Sequence, residues 1–114
     1  MARDLTSIEE YRRLVAGASS EDDLLVAVET RLTLGRWRWH HIGRSDLAQQ
    51  HGDPGWPDVV AVRGDLLLVR ELKAVGGSYG TGQREWLEAL AGVRRVDAGT
   101  WRPADMAEIE RALA

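Results

Sequence analysis

A tight β-hairpin in the middle of the chain is the feature that most constrains the fold. Two apolar runs, Val59 to Val62 and Leu66 to Val69, are separated by Arg63 and the dipeptide Gly64-Asp65. A two-residue loop that begins with glycine suits a type II′ turn, which joins two antiparallel strands directly. We therefore predict that the two runs pair as neighbouring strands of one sheet.

The predicted turn fixes which residues face one another across the hairpin. If Arg63 and Leu66 flank the loop as a pair, the pairs that follow are Val62 with Leu67, Val60 with Val69, and Asp58 with Glu71. Because strand side chains alternate with period two, these three pairs share one sheet face, and Lys73 joins it. Two carboxylates placed directly opposite each other repel and destabilise a hairpin. We therefore expect a cation to offset the repulsion between Asp58 and Glu71.

The predicted group of two acids and a lysine suits the hydrolysis of a phosphodiester. Mg²⁺ commonly binds through one or two carboxylates while it keeps water ligands and contacts a phosphate. Lys73 places an ammonium beside the same point, where a metal-bound water could attack a phosphodiester. An ordinary salt bridge between Lys73 and one of the acids is the alternative that the residues alone leave open.

The same residues resemble a known family of nucleases. Pro57-Asp58 followed by Glu71-Leu72-Lys73 is similar to the PD-(D/E)xK motif. The stretches G-W-P-D-V-V-A-V, L-V-R-E-L-K, G-Q-R-E-W-L and W-R-P-A-D follow in the order found in small VRR-NUC domains. This resemblance implies a restriction-endonuclease-like α/β fold, in which a mixed four-stranded sheet is flanked by helices. It covers residues 20–105 as the nuclease core, with residues 1–17 as an accessory helix of the same single domain.

The resemblance also implies the ligands of the metal. Asp58, Glu71 and the backbone carbonyl of Leu72 would hold Mg²⁺, for which Mn²⁺ would substitute. Nucleases of this family place an additional acid on the helix before the site. Glu21 is the best match to that acid, and Glu29 is the fallback.

The implied activity is the metal-dependent hydrolysis of DNA. Lys73 would position or activate the attacking water, and Gln83 would reach the active site and assist through a second metal, a water or a phosphate. A dimeric Holliday-junction resolvase-like enzyme is one alternative. A non-catalytic nucleic-acid-binding module that keeps the nuclease fold is another. Repair, phage replication and defence are the biological settings that the resemblance allows.

Helices and further strands are predicted around the hairpin from hydrophobic periodicity and capping residues. Helices are expected over residues 1–17, over residues 21–34, from Thr81 as the cap to about Ala91, and at the end of the chain with Pro103 in the first turn; strands are expected over residues 37–42 and 93–97. Ser19 or Ser20 is expected to cap the second helix, and Thr81 the third. Because a helix connects the 66–73 strand to the last strand, these two strands should run parallel. The glycine-rich segment 74–82 is expected to be either a plain connector or a lid.

The composition sets broad limits on the protein. Its 114 residues suit one domain, and it has no cysteine for a disulfide or a cysteine metal site. The histidines lack the spacing of a zinc site, so a surface or packing role is favoured over a phosphate contact by His41 or Arg44.

No signal-peptide pattern and no run of about 18 apolar residues is present, so we expect a soluble cytoplasmic protein that avoids the membrane. The formal charge of −3 argues mildly against tight non-specific DNA binding but not against a metal-dependent nuclease.

Overall fold

The computed structural model describes residues 20–42 and 51–114. Within these residues the protein has an α/β fold, with one four-stranded mixed sheet and three α-helices. The predicted N-terminal helix (residues 1–17) and most of the 43–55 loop lie outside the described residues. The helices are α1 (Glu21–Leu34), α2 (Gln83–Ala91) and α3 (Met106–Leu113), and the strands are β1 (Arg38–His41), β2 (Val59–Arg63), β3 (Leu66–Leu72) and β4 (Val96–Trp101).

The predicted register of the hairpin is confirmed. Gly64 has a φ of 64°, whereas Asp65 is not among the residues of positive φ, as a type II′ turn requires. Arg63 pairs with Leu66 and Val60 pairs with Val69. The ladder ends where Val59 pairs with Arg70. Asp58 and Glu71 therefore lie one step beyond the last pair, at the open end of the hairpin.

The last strand runs parallel to β3, as predicted, but its bounds differ from the prediction. The strand was expected over residues 93–97, and it begins instead at Val96 and extends to Trp101. Gly92 ends α2, and the chain then makes a turn in which the Val96 N–H donates to the carbonyl oxygen of Val93. Arg95 has a φ of 66° in this turn, so a strand cannot start before Val96.

Helix α1 matches its predicted bounds because its ends are set by local capping. The Ser20 hydroxyl oxygen accepts a hydrogen bond from the Asp23 N–H at 3.0 Å, and Gly35 ends the helix. The apolar side chains Leu24, Val28 and Leu32 of α1 pack on the sheet. The buried core consists of Leu24, Val28, Leu32, Trp37, Val59, Ala61, Leu68, Leu72, Trp101, Ile109 and Leu113. It joins α1 and α3 to one face of the sheet.

Helix α2 lies on the opposite face and begins differently from the prediction. Thr81 does not cap it; Gly82 occupies the N-cap position with a φ of 80° and no side-chain hydrogen bond. A Cβ on Gly82 would lie 2.1 Å from the carbonyl oxygen of Pro54, so no other residue fits there. The cap prediction failed because the close approach of Pro54 is a tertiary contact, which local sequence rules do not include.

The described helices are also relevant to the membrane prediction. Among residues 20–42 and 51–114, no helix combines the length and the apolar character needed to cross a bilayer.

Candidate active site

The open end of the hairpin brings Asp58 and Glu71 together. Asp58 follows the fully buried Pro57, and its Oδ2 accepts a hydrogen bond of 2.8 Å from the backbone N–H of Leu72. The Asp58 carboxylate is therefore fixed at the end of β3. After burial, the negative charge of Asp58 is the next cause that raises the pKa of the Glu71 carboxyl.

The two carboxyl oxygens of Glu71 have very different surroundings. Oε2 lies 3.2 Å from Nζ of Lys73 and accepts a hydrogen bond of 2.8 Å from Nε2 of Gln83. Oε1 is buried and has no hydrogen-bond partner among the described residues. Buried polar atoms rarely lack a partner, so an unpartnered carboxyl oxygen requires an explanation. The lone pairs of Oε1 are available to a proton, a water or a cation.

The pKa of Glu71 reflects this environment. Burial, followed by the negative charge of Asp58, raises it from 4.5 to about 7, while Lys73 acts in the opposite direction. Near neutral pH the Glu71 carboxyl therefore holds a proton in a substantial fraction of molecules, because ionising a buried carboxyl beside a second acid is costly. A cation between the acids would replace that proton. Perturbed acids of this kind are concentrated at functional sites.

Lys73 lies on the same face of β3 as Glu71, as strand alternation requires. Its side chain is 12% exposed, and that of Glu71 is 3% exposed. The ammonium is therefore held at the edge of the site by an almost buried acid, and it can still reach a ligand that arrives from solvent. The salt bridge that the sequence left open as the alternative is therefore present between Lys73 and Glu71, and it is largely buried rather than solvated.

Gln83 links the glycine-rich segment to the site. Its Oε1 accepts a hydrogen bond of 2.7 Å from the Gly80 N–H, so its Nε2 is the atom that must donate to Glu71. Gln83 is the first residue of α2, and the tight packing of Gly82 against Pro54 fixes where the helix starts. The segment before α2 is therefore anchored to Glu71 through a single amide.

The Leu72 carbonyl is placed beside Asp58 by the hairpin geometry. In an antiparallel ladder the N–H and C=O of a hydrogen-bonding residue point to the same neighbouring strand. The Leu72 N–H points to Asp58, so its carbonyl also faces the β2 side. If the register continues, the residue opposite Leu72 is Pro57, which has no N–H. The hairpin thus offers this carbonyl no backbone donor.

Glu21 approaches the same place from α1. It lines a small cavity of about 100 Å³, whose walls are Glu21, Asp22, Leu25, His41, Asp58 and Leu72. The fallback acid, Glu29, is not among these lining residues; its Oε2 lies 3.7 Å from Nδ1 of His41. From the sequence, a surface or packing role is favoured for His41, with a phosphate contact as the alternative; the structure places His41 in the wall of this cavity.

The residues present fit a hard divalent cation. No group of three or more His, Cys, Asp or Glu residues in the described part of the chain is arranged to hold a metal by itself. Asp58, Glu71 and the Leu72 carbonyl supply oxygen ligands only, and Oε1 of Glu71 lacks a partner. Mg²⁺ suits such a partial set, because it usually keeps several waters and binds through one or two carboxylates together with substrate phosphate.

No protein-family model, curated protein or solved structure matches this chain. The resemblance to VRR-NUC domains therefore stays a hypothesis that rests on the order of its motifs.

Proposed function

We propose that this protein is a metal-dependent nuclease that hydrolyses DNA phosphodiester bonds on a restriction-endonuclease-like fold, similar to VRR-NUC domains. The observation that carries this proposal is the buried carboxyl of Glu71. One of its oxygens has no partner, and Asp58 and Lys73 lie beside it. Burying an acid of raised pKa next to a second acid destabilises the fold. Such acids are concentrated at functional sites.

Asp58, Glu71 and the Leu72 carbonyl would hold Mg²⁺, and Mn²⁺ would substitute for it. When bound, the ion would supply a water of lowered pKa and neutralise charge on the phosphate. Glu21 faces the neighbouring cavity with Asp58, so it would act through a water or a second ion rather than as a ligand of the same ion.

Lys73 would act on the attacking water and on the phosphate. Its ammonium is held 3.2 Å from Oε2 of Glu71, which fixes its position before substrate binds. A preorganised cation of this kind stabilises the negative charge that develops on the phosphate oxygens. It can also donate a hydrogen bond that orients the water for in-line attack.

Gln83 would be a positioning residue. Because it donates to the same oxygen of Glu71 as Lys73, it helps to keep Oε2 occupied and leaves Oε1 free for the cation. Residues that orient metal ligands in this way typically change metal affinity or activity by about 10–100-fold when they are mutated.

A nuclease assay with added Mg²⁺ or Mn²⁺ tests the proposal on linear, flapped and four-way DNA. Asp58→Asn and Lys73→Ala should each lower cleavage by at least about 100-fold. Asp65→Asn is a matched control, because this exposed acid lies at the other end of the same hairpin and pairs with Arg95. Cleavage that persists without metal, or in both site variants, would overturn the proposal.

The same assay separates the two alternatives. Paired symmetric cuts in four-way DNA by a species that sediments as a dimer would indicate the resolvase-like enzyme. DNA binding without cleavage under any metal would indicate the non-catalytic module.

A further inference from the structure

A second, larger cavity lies next to the candidate active site. Its volume is about 390 Å³, and its walls include Asp53, Pro54, Gly82, Glu85 and Trp86. This volume is within the range of small-molecule sites. The cavity shares Gly82 with the start of α2, and the next residue is Gln83, whose amide bonds to Glu71. The cavity is therefore joined to the candidate active site through the first turn of α2.

Trp86 is the aromatic residue that lines the cavity, and Trp56 packs against it without being one of the lining residues. Trp56 and Trp86 pack edge to face, with ring centroids 4.9 Å apart and an angle of 86° between the rings. Trp86 is fixed by a hydrogen bond of 3.1 Å from its Nε1 to the Asp53 carbonyl oxygen. Trp56 is 36% exposed and precedes Asp58 by two residues. Aromatic surface that is both exposed and rigid provides a stacking platform at little entropic cost.

The polar side chains that line the cavity are those of Asp53, Glu85 and Thr81, and the two charged ones among them are hydrogen-bond acceptors. Asp53 and Glu85 contribute carboxylates, and none of the described residues that line the cavity is a Lys, Arg or His. A phosphate would therefore be repelled from it. A neutral ring whose edge carries N–H donors would instead stack on an indole and donate to a carboxylate.

The wall of the cavity is fixed to the start of α2 by two glycines. Gly55 and Gly82 have φ values of 100° and 80°. A Cβ on Gly55 would lie 2.3 Å from the carbonyl carbon of Gly82, and a Cβ on Gly82 would lie 2.1 Å from the Pro54 carbonyl oxygen. The two backbones therefore touch directly. The cavity is preformed, and its position relative to Gln83 is set.

We infer that this cavity binds one unpaired nucleobase of the substrate, of a kind that carries amino or ring N–H donors (guanine, adenine or cytosine). This inference rests on the proposed nuclease function, which places the neighbouring phosphodiester at Glu71. The base stacks on the exposed indole of Trp56, which packs against Trp86 at the cavity wall, and its edge donates a hydrogen bond to Glu85 or Asp53. Carboxylates accept hydrogen bonds from the exocyclic amino group of cytosine in the same way when proteins recognise this base in DNA.

A pocket for an unpaired base selects one class of DNA substrate. A base in a duplex has its hydrogen-bonding edge occupied and its faces stacked, so it must be extruded before it can enter a pocket. An unpaired base enters the pocket without first losing its base-pair hydrogen bonds and without extrusion from a duplex. DNA with an unpaired nucleotide next to the cut, as in a flap, an overhang or a junction, is therefore preferred to blunt duplex.

A binding experiment with metal removed by EDTA tests the inference without any need for cleavage. The probes are a blunt DNA hairpin and the same hairpin with a short overhang that contains 2-aminopurine, a fluorescent base with an exocyclic amino group. Wild-type protein should bind the overhang more tightly than the blunt end and quench the 2-aminopurine emission. Trp56→Ala should weaken overhang binding by about tenfold and remove the quenching, because one stacked base contributes about 1–3 kcal/mol.

Glu85→Gln should weaken binding of the amino-bearing base by about fivefold or more. Glu88→Gln is the matched control, because Glu88 is exposed on the same helix and faces a different cavity. Circular dichroism and thermal melting verify that each variant is folded. Overhang binding and quenching that are unchanged in both Trp56→Ala and Glu85→Gln would overturn the inference.

The outcomes for the two proposals are separable. Quenching that depends on Trp56, in a protein that cleaves no DNA with any metal, would retain the nucleobase site and overturn the nuclease. Metal-dependent cleavage that proceeds equally on blunt and overhang DNA and is insensitive to Trp56→Ala would retain the nuclease and overturn the nucleobase site.

Discussion

Nε2 of Gln83 donates a hydrogen bond of 2.8 Å to Oε2 of Glu71, although the two residues belong to a helix and a strand that are separated by a glycine-rich segment. The amide cannot turn over without losing its second bond, in which Oε1 accepts from the Gly80 N–H. This pair therefore ties the geometry of the carboxylates to the start of α2. Through this amide, the segment between β3 and α2 supports the position of the Glu71 carboxylate.

Replacing Gln83 should show this support directly. Gln83→Ala removes one of the two donors to Oε2 of Glu71, so the carboxyl is free to turn and the cation is held less well. We expect metal affinity or activity to fall by about 10–100-fold while the fold is retained. Titration of cleavage against Mg²⁺ measures the effect, with Glu88→Ala on the exposed side of α2 as the control. A Mg²⁺ dependence equal to that of the wild type would contradict the role of Gln83.

The stability of the metal-free protein should depend on the ionisation of Glu71. The pKa of Glu71 is raised from 4.5 to about 7 by burial and by Asp58, so the folded state binds more protons than the unfolded state between these values. Stability is then greatest below the unfolded value and falls as pH rises through the window from 4.5 to about 7. The change across the window is of the order of a few kcal/mol.

Urea denaturation in EDTA at several pH values between 5 and 8 measures this slope. Glu71→Gln should flatten it, because the amide does not titrate, and Glu88→Gln should leave it unchanged. A slope that is as steep in Glu71→Gln as in the wild type would assign the pH dependence to other groups.

The regions that were predicted well are those whose geometry is set by neighbours in sequence. The register of the hairpin follows from Gly64-Asp65, and the start of α1 follows from Ser20, because a turn and a cap each depend on a few adjacent residues. Once the register is known, the meeting of Asp58 and Glu71 follows from strand alternation.

The regions that were predicted poorly are those set by contacts between distant segments. Thr81 was expected to cap α2, and Gly82 occupies the cap because Pro54 approaches it. The strand β4 begins late because the turn at Arg95 follows α2 directly. Neither the raised pKa of Glu71 nor the cavity at Trp86 can be predicted from the sequence, since both depend on burial by residues from several elements.

Mg²⁺ should stabilise the protein more strongly at high pH than at low pH. A cation at Asp58 and Glu71 competes with the proton that Glu71 holds below a pKa of about 7. Metal binding therefore releases a proton and strengthens as pH rises through that value. A ligand that binds only the folded state raises the melting temperature by mass action, so thermal melts with and without Mg²⁺ at pH 6 and pH 8 measure the effect.

Asp58→Asn is the informative variant for this measurement. It removes one of the two carboxylates, so the stabilisation by Mg²⁺ should disappear at both pH values. Asp65→Asn should retain the wild-type response, because its carboxylate lies at the far end of the hairpin. An equal response to Mg²⁺ in the wild type and in Asp58→Asn would place the metal elsewhere.

The acid on α1 can be identified by comparing three variants of that helix. Glu21 and Asp58 line the same small cavity, whereas Glu29 faces His41. We therefore expect Glu21→Gln to lower cleavage by about tenfold or more and Glu29→Gln to have a smaller effect. Asp23→Asn is the matched control, because it also removes a carboxylate from the first turn of α1, where acids favour the helix dipole, and Asp23 does not line the cavity. Initial rates at saturating Mg²⁺, read beside the melting temperature of each variant, separate a loss of catalysis from a loss of helix stability. A larger loss in Glu29→Gln than in Glu21→Gln would assign the role to Glu29, acting together with His41.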